Sequence, residues 1–266
     1  MHPGVLACVE PVYQPQIELR SGRVVGLEAL ARFREPCGRL LGAAAVLQYA
    51  QDPPARRALG RHMLRRSTRE IASLGVASGL ALAVNVEADH LSDPALVPDV
   101  IEALGHSGLA PDRLELELTE TEPLAYGGAL EINRAALEGL GVRLAIDDYG
   151  TGYADAPYLR RLAPHTVKLA AHWIAERTPE TRDALGHLVS ILRDAGVGIV
   201  AEGVEHRWQD ALVSAHAPIG RAQGYLYSRP LTLEALRSSL SLEHRIPRAA
   251  ALVRHRRRPP TPESIP

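Results

Sequence analysis

The stretch RLELELTETEPLAYGGALEINRAALEGLGVRLAIDD, residues 113–148, reads as strand, helix, strand. Its two ends, 113–120 and 142–148, are short apolar or alternating runs, and the segment at about 126–140 spaces its apolar side chains as a helix does. The same rhythm continues on both sides. Apolar runs recur at LALAVNVEA (80–88), HTVKLA (165–170) and VGIVAEG (197–203), with helical patterns at about 94–107, 156–162, 180–195 and 206–215. Strand and helix alternating over such a length imply a mostly parallel sheet with right-handed crossovers, and about 250 residues in one series favour a closed barrel over an open sheet.

Upstream, VYQPQIELRSGRVVGLEALARF (12–33) alternates apolar and polar residues on both sides of Arg20-Ser21-Gly22-Arg23, the pattern of an antiparallel hairpin over about residues 8–34. Helices are expected at 43–51 and at 54–74, with Pro54 near the start of the second and Gly75 near its end, and a last helix at 232–240. The expected fold is α/β, a TIM-like (β/α)8 barrel in which one strand of the N-terminal hairpin runs against the others. It forms a single domain, 1–243, followed by an Arg- and Pro-rich tail, 244–266, expected to be disordered.

The 266 residues are 46% apolar and 23% charged with a net charge of −1, the balance of a folded globular protein. That balance gives no electrostatic case for duplex nucleic acid or an anionic membrane as partner. Cys8 and Cys37 are too few for a disulfide framework and lack metal-ligand spacing, which suits a reducing compartment. The N-terminus lacks a basic stretch followed by a long apolar run, and no run of 18 apolar residues occurs anywhere, so a cytoplasmic protein is expected. Of the 30 basic residues Lys168 is the single lysine.

Strands of a parallel barrel are buried on both faces, so polar residues at their C-terminal ends need a reason. They occur at strand after strand: Glu28, Asn85, Glu117 with Glu120, Asp147 with Asp148, Lys168, Glu202 with Glu205, and Gln223. Each has an ordinary explanation alone. Asp147-Asp148 can open a turn, Asn85 can be a satisfied core amide, LELELTE can be a solvent-facing antiparallel strand, and Lys168 can be a surface charge. Together they point to chemistry. So many converging carboxylates would repel one another unless divalent cations neutralise them, and oxygen-only ligands suit Mg²⁺ or Mn²⁺ better than Zn²⁺. An adjacent Asp pair can divide itself between two metals, the arrangement that clamps the attacking and leaving oxygens of a phosphodiester.

With these residues in order, the chain resembles the EAL-domain phosphodiesterases that hydrolyse cyclic di-GMP. Tyr13-Gln14-Pro15, Glu28-Ala29-Leu30 within VGLEALARF, AVNVEADHL, LELELTE, DDYGTGY, VKL, VAEGVE and AQGYLYSRPL carry the resemblance over about residues 8–240. It implies that Glu28, Asn85, Glu117 and Asp147 bind a first Mg²⁺ or Mn²⁺, and that Asp147 bridges to a second shared with Asp148. It implies further that Lys168 and Glu202 position or deprotonate the attacking water and that Gln223 holds a water near the metals. Arg32, four residues after Glu28, matches an arginine on a substrate phosphate, with Gln14 and Leu30 also on the substrate. Glu120 and Glu205 stand behind the ligands, Glu120 steadying the loop after Asp148. The implied reaction opens cyclic di-GMP to linear pGpG in a homodimer joined near the DDYGTGY loop.

Two departures give a second expectation. The family usually has Asp two residues after the lysine, where this chain has Ala170, and DDYGTGY is followed here by Ala154-Asp155-Ala156-Pro157 instead of two small hydroxyl residues and Leu. Loss of an Asp that orients Lys168 is expected to lower activity, and Pro157 to stiffen the loop. The alternative is therefore a weak or inactive EAL domain acting as a cyclic di-GMP receptor or protein-interaction module, although the retained metal ligands count against it. The resemblance starts at residue 8, so no fused sensory or cyclase domain is expected.

Overall fold

The computed structural model describes residues 1–75, 79–119, 128–151 and 156–241. Glu120, the altered loop residues Ala154 and Asp155, and the tail at 244–266 lie outside the described residues. Among the described residues nine strands form one sheet: β1 (Val9–Glu18), β2 (Val24–Arg34), β3 (Leu40–Leu41), β4 (Ala81–Val86), β5 (Leu114–Thr119), β6 (Arg143–Tyr149), β7 (Thr166–Leu169), β8 (Gly198–Ala201) and β9 (Ile219–Ala222). Their order is β1-β9-β8-β7-β6-β5-β4-β2-β3, and a β1–β2 pairing closes all but β3 into an eight-stranded ring. β1 is antiparallel to both β2 and β9, whereas every other neighbour in the ring is parallel. The (β/α)8 barrel with one reversed strand is thus the observed fold.

The hairpin turns where expected. The Gly22 N–H donates to the Glu18 carbonyl at 2.7 Å while Gly22 sits at φ +67°, in the left-handed region that favours glycine. Ten α-helices accompany the strands among the described residues: α1 (Pro3–Leu6), α2 (Ala43–Leu47), α3 (Pro53–Ala72), α4 (Ala88–Leu91), α5 (Leu96–Ser107), α6 (Gly128–Leu140), α7 (Ala156–Leu162), α8 (Pro179–Asp194), α9 (Arg207–Ser214) and α10 (Leu233–Ser241). α3 starts at Pro53 because the Asp52 carboxylate caps it, accepting from the Ala55 N–H at 2.7 Å; Thr178 caps α8 in the same way at 3.1 Å. The pattern over 43–51 forms only the short α2.

β9 has no counterpart among the apolar runs of the sequence. Two of its four residues are Gly220 and Arg221, and Arg221 turns its guanidinium to Gln16 and Thr166 at 2.9 and 3.0 Å. β5 settles the ambiguity of LELELTE. Leu114, Leu116 and Leu118 are wholly buried in the apolar core, whereas Glu115 and Glu117, 1% and 0% exposed, lie on the other face, inside the barrel. The barrel lumen therefore holds two polar layers. In the lower one Glu115 accepts from Thr166 Oγ1 at 2.7 Å and from Arg143 Nε at 3.3 Å, with Arg221 at 3.7 Å; the upper one is the site.

Candidate active site

Four carboxylates from different parts of the ring meet one ammonium. Lys168 Nζ on β7 lies 3.4 Å from Glu28 Oε2 on β2, 3.0 Å from Glu117 Oε2 on β5, 2.9 Å from Asp147 Oδ1 on β6 and 2.9 Å from Glu202 Oε1 just after β8. Lys168 is 0% exposed. Parallel register sets the height of these groups: Asn85 pairs with Glu117 and Thr119 with Asp147, while Gln14 of β1 stands opposite Glu28. Asn85 Nδ2 donates to Glu28 Oε1 at 3.2 Å, and Gln223 Nε2, just after β9 and two strands away through β1, donates to Glu28 Oε2.

Ala170 removes one possible partner of Lys168, and the ammonium keeps others. Four carboxylates already surround the ammonium, and Ala170 is instead the N-terminal flank of the 3₁₀ turn Ala171–Ile174, where no side-chain cap is made. Gln223 depends on its neighbour Gly224. A Cβ at residue 224 would stand 2.1 Å from the Val204 carbonyl oxygen, so only glycine lets the loop after β9 press onto the loop after β8.

Burial sets the electrostatics. It raises the Glu117 carboxyl well above the usual range against the pull of Lys168, and neighbouring Glu28, Asp147 and Glu115 add to the rise. Glu202 is likewise pushed up by burial, to about 8. Burial alone would discharge Lys168, but Asp147, Glu117, Glu202 and Glu28 outweigh it and hold the ammonium protonated far above the ordinary lysine range.

A pair of divalent cations fits these residues. Carboxylate oxygens of Glu28, Glu117 and Asp147 lie within 4.8 Å of one another, as do those of Asp147, Asp148 and Glu202, so Asp147 belongs to both groups. Counting Asp148, five carboxylates face one ammonium, an excess of four negative charges that two divalent ions would match. Glu117 Oε1 and Gln223 Oε1 are buried with no hydrogen-bond partner, the condition of oxygens that await a ligand.

Two cavities open on this cluster and share Glu28, Asp147 and Asp148. One, of about 440 Å³, runs toward α2 and α3 past Leu30, Val46, Leu59 and Met63, with Arg56, Asn85 and Glu87 on its wall. The other, of about 340 Å³, is walled by Gln14, Glu202, Glu205, Gln223 and Tyr225. Glu205 is exposed at its rim, and the Arg229 guanidinium covers the Tyr225 ring at 4.4 Å. Arg32 lies beyond Leu30 on β2, where its Nη1 donates to the Ala31 carbonyl at 2.9 Å, outside both cavity walls. Arg56, Glu87 and Tyr225 are polar or aromatic wall residues that the sequence reading misses, as it does the apolar Val46, Leu59 and Met63. Tyr225, two residues after Gln223, and Glu87, two residues after Asn85, each stood inside a quoted motif.

A family model described as the EAL domain matches residues 8–230. Among curated relatives, the cyclic di-GMP phosphodiesterase NbdA of Pseudomonas aeruginosa is 38% identical over 234 residues, covering 86% of this chain and 30% of NbdA. The chain thus spans about a third of the length of that relative. Among solved structures, the PaMucR phosphodiesterase in complex with c-di-GMP is 29% identical with a TM-score of 0.79, covering 86% of this chain and 94% of that one. The manganese/cy-diGMP complex of Klebsiella pneumoniae BlrP1 is 28% identical with a TM-score of 0.73, over 86% of this chain and 57% of that one.

Proposed function

This chain belongs to the EAL domain family, and from that premise we propose that it hydrolyses cyclic di-GMP to linear pGpG with two divalent cations, Mg²⁺ or Mn²⁺. The observation that carries the reading is the meeting of Glu28, Glu117, Asp147 and Glu202 around buried Lys168, with Asp148 beside them. Glu28, Asn85, Glu117 and Asp147 would hold one cation, and Asp147 with Asp148 would hold the other. The bound ions supply charge for the phosphoryl oxygens and a water acidic enough to be deprotonated near neutral pH.

The chain's own groups do the rest. Lys168 fixes the carboxylates and sets one positive charge beside the reacting phosphate. Glu202 Oε1, on the wall of the smaller cavity, is placed to take the proton of the attacking water. Gln223 keeps Glu28 aligned through its amide while its carbonyl oxygen remains to hold that water. Leu30, Val46 and Met63 give one base of the dinucleotide an apolar wall, and Gln14 and Tyr225 line the place for the other half. Arg32 swings from the Ala31 carbonyl to a substrate phosphate, and Glu205 closes the rim.

The protein works on this reading as a cytoplasmic homodimer, and no described helix is long and apolar enough to cross a membrane. Incubation of the purified protein with cyclic di-GMP and Mg²⁺ or Mn²⁺ tests it. Release of pGpG that stops on adding EDTA is the expected result, and folded protein that turns over nothing in either metal rejects it. A Glu28→Ala variant should lose the rate while keeping its fold.

A further inference from the structure

The end of β6 is built unusually. β6 pairs with β7 at Ala145–Thr166 and Ile146–Val167, then slips, and pairing resumes only at Tyr149–Leu169. The two residues passed over are Asp147 and Asp148, and Asp148 sits at φ +53°, a left-handed conformation uncommon for any residue but glycine. A bulge of this kind re-aims side chains next to a site, and here it carries the shared carboxylate pair. Such a bulge keeps its shape only if its far end is tied down.

Trp173 makes that tie. Its indole Nε1 donates to the Tyr149 carbonyl at 2.9 Å, and the Ala170 backbone N–H approaches the same oxygen at 3.4 Å. The ring lies so close to the next residue that a Cβ on Gly150 would stand 2.3 Å from Nε1 and 2.8 Å from Cε2, and Gly150 is itself at φ +99°. Trp173 belongs to the 3₁₀ turn Ala171–Ile174 directly after β7, the strand of Lys168. One side chain thus fastens the carboxylate bulge to the segment that leaves the lysine strand.

We propose that Trp173 is a positioning residue, and that its hydrogen bond to the Tyr149 carbonyl and its ring against Gly150 hold Asp147 and Asp148 in the arrangement that binds cations. The inference rests on the two-cation reading of the site. A tryptophan that served only to fill space would be replaceable by phenylalanine, which keeps an apolar ring and lacks the N–H. The indole therefore has to matter to the carboxylates as well as to packing.

Mn²⁺ titration of the metal-free protein, followed by the electron paramagnetic resonance of free Mn²⁺, is the test. Trp173→Phe should weaken Mn²⁺ binding about three- to tenfold, the effect of one lost hydrogen bond, with little change in melting temperature in EDTA. Unchanged affinity beside normal wild-type binding overturns the proposal alone. A wild type that binds no Mn²⁺ overturns it together with the two-cation reading. Should Trp173→Phe not fold, the Trp208→Phe protein leaves Trp173 as its single tryptophan. Its emission should then shift saturably as Mg²⁺ is added, and emission that ignores saturating Mg²⁺ counts against the tie.

Discussion

At Lys168 the shape of the ammonium matters as much as its charge. Carboxylates approach it from β2, β5, β6 and the loop after β8 at 2.9–3.4 Å, and a compact head with three rotatable donors can serve them where a planar guanidinium needs more room. Lys168→Arg is therefore expected to lower cyclic di-GMP turnover about 100-fold, the scale of a misplacement near 1 Å at a reacting centre; near-normal turnover would mean that the solitary lysine carries no special chemistry. Lys168→Met removes the charge and leaves buried carboxylates facing one another. That should cost about 3–5 kcal/mol of stability in EDTA, and clearly less in Mn²⁺, where cations take over the neutralisation. Urea unfolding in the two conditions measures the difference, and an equal loss in both would show that the lysine is not the neutralising charge. The carboxylates were legible because charge at a buried strand end has few ordinary explanations. Arg56 and Glu87 were not, because an arginine on a helix and a glutamate after a strand look like solvated charges until the cavity places them together.

The elements divide in the same way. β4 to β8 announce themselves through apolar runs, whereas β9 hides because its Gly220 and Arg221 read as a turn and its inward residue is an arginine. What makes it a strand is long-range: Arg221 satisfies Gln16 on β1 and Thr166 on β7, and Glu115 on β5 lies within reach. No local pattern encodes partners 55 and 205 residues away. β9 delivers Gln223 to Glu28 through the turn at Gly224, so that turn should be intolerant of any side chain. Gly224→Ala has to push back the Val204 backbone, which should cost about 1–3 kcal/mol as overpacking does. It should also draw Gln223 away from Glu28 and lower turnover further than the stability loss explains. Thermal melts and rates measured on the same preparation separate the two effects, and a variant with wild-type values for both would refute the close approach.

For the whole barrel, on the two-cation reading, ring closure turns a repulsive cluster into a source of stability once cations bind. Without metal, burial raises the Glu202 carboxyl to about 8 and the Glu117 carboxyl well above its usual range. A carboxyl raised in the folded state holds a proton that the unfolded chain has already released, so stability is intact below about pH 4.5 and declines as pH rises through the folded value near 8. The raised Lys168 adds no opposing slope there, because its side chain is protonated in both the folded and the unfolded state below about pH 10. Cation binding runs the other way, since it requires deprotonated ligands and strengthens with pH. At 100 times the dissociation constant it should contribute about 2.7 kcal/mol, which for a domain of this size is about 5–10 °C in melting temperature. The melting temperature in EDTA should therefore fall between pH 5.5 and pH 8 while that in excess Mn²⁺ holds or rises, so the gap between them widens with pH. Scanning calorimetry across that range measures both curves. A gap that stays constant or narrows would mean that cation binding displaces no proton from these buried carboxyls, and would overturn their assignment as raised ligands.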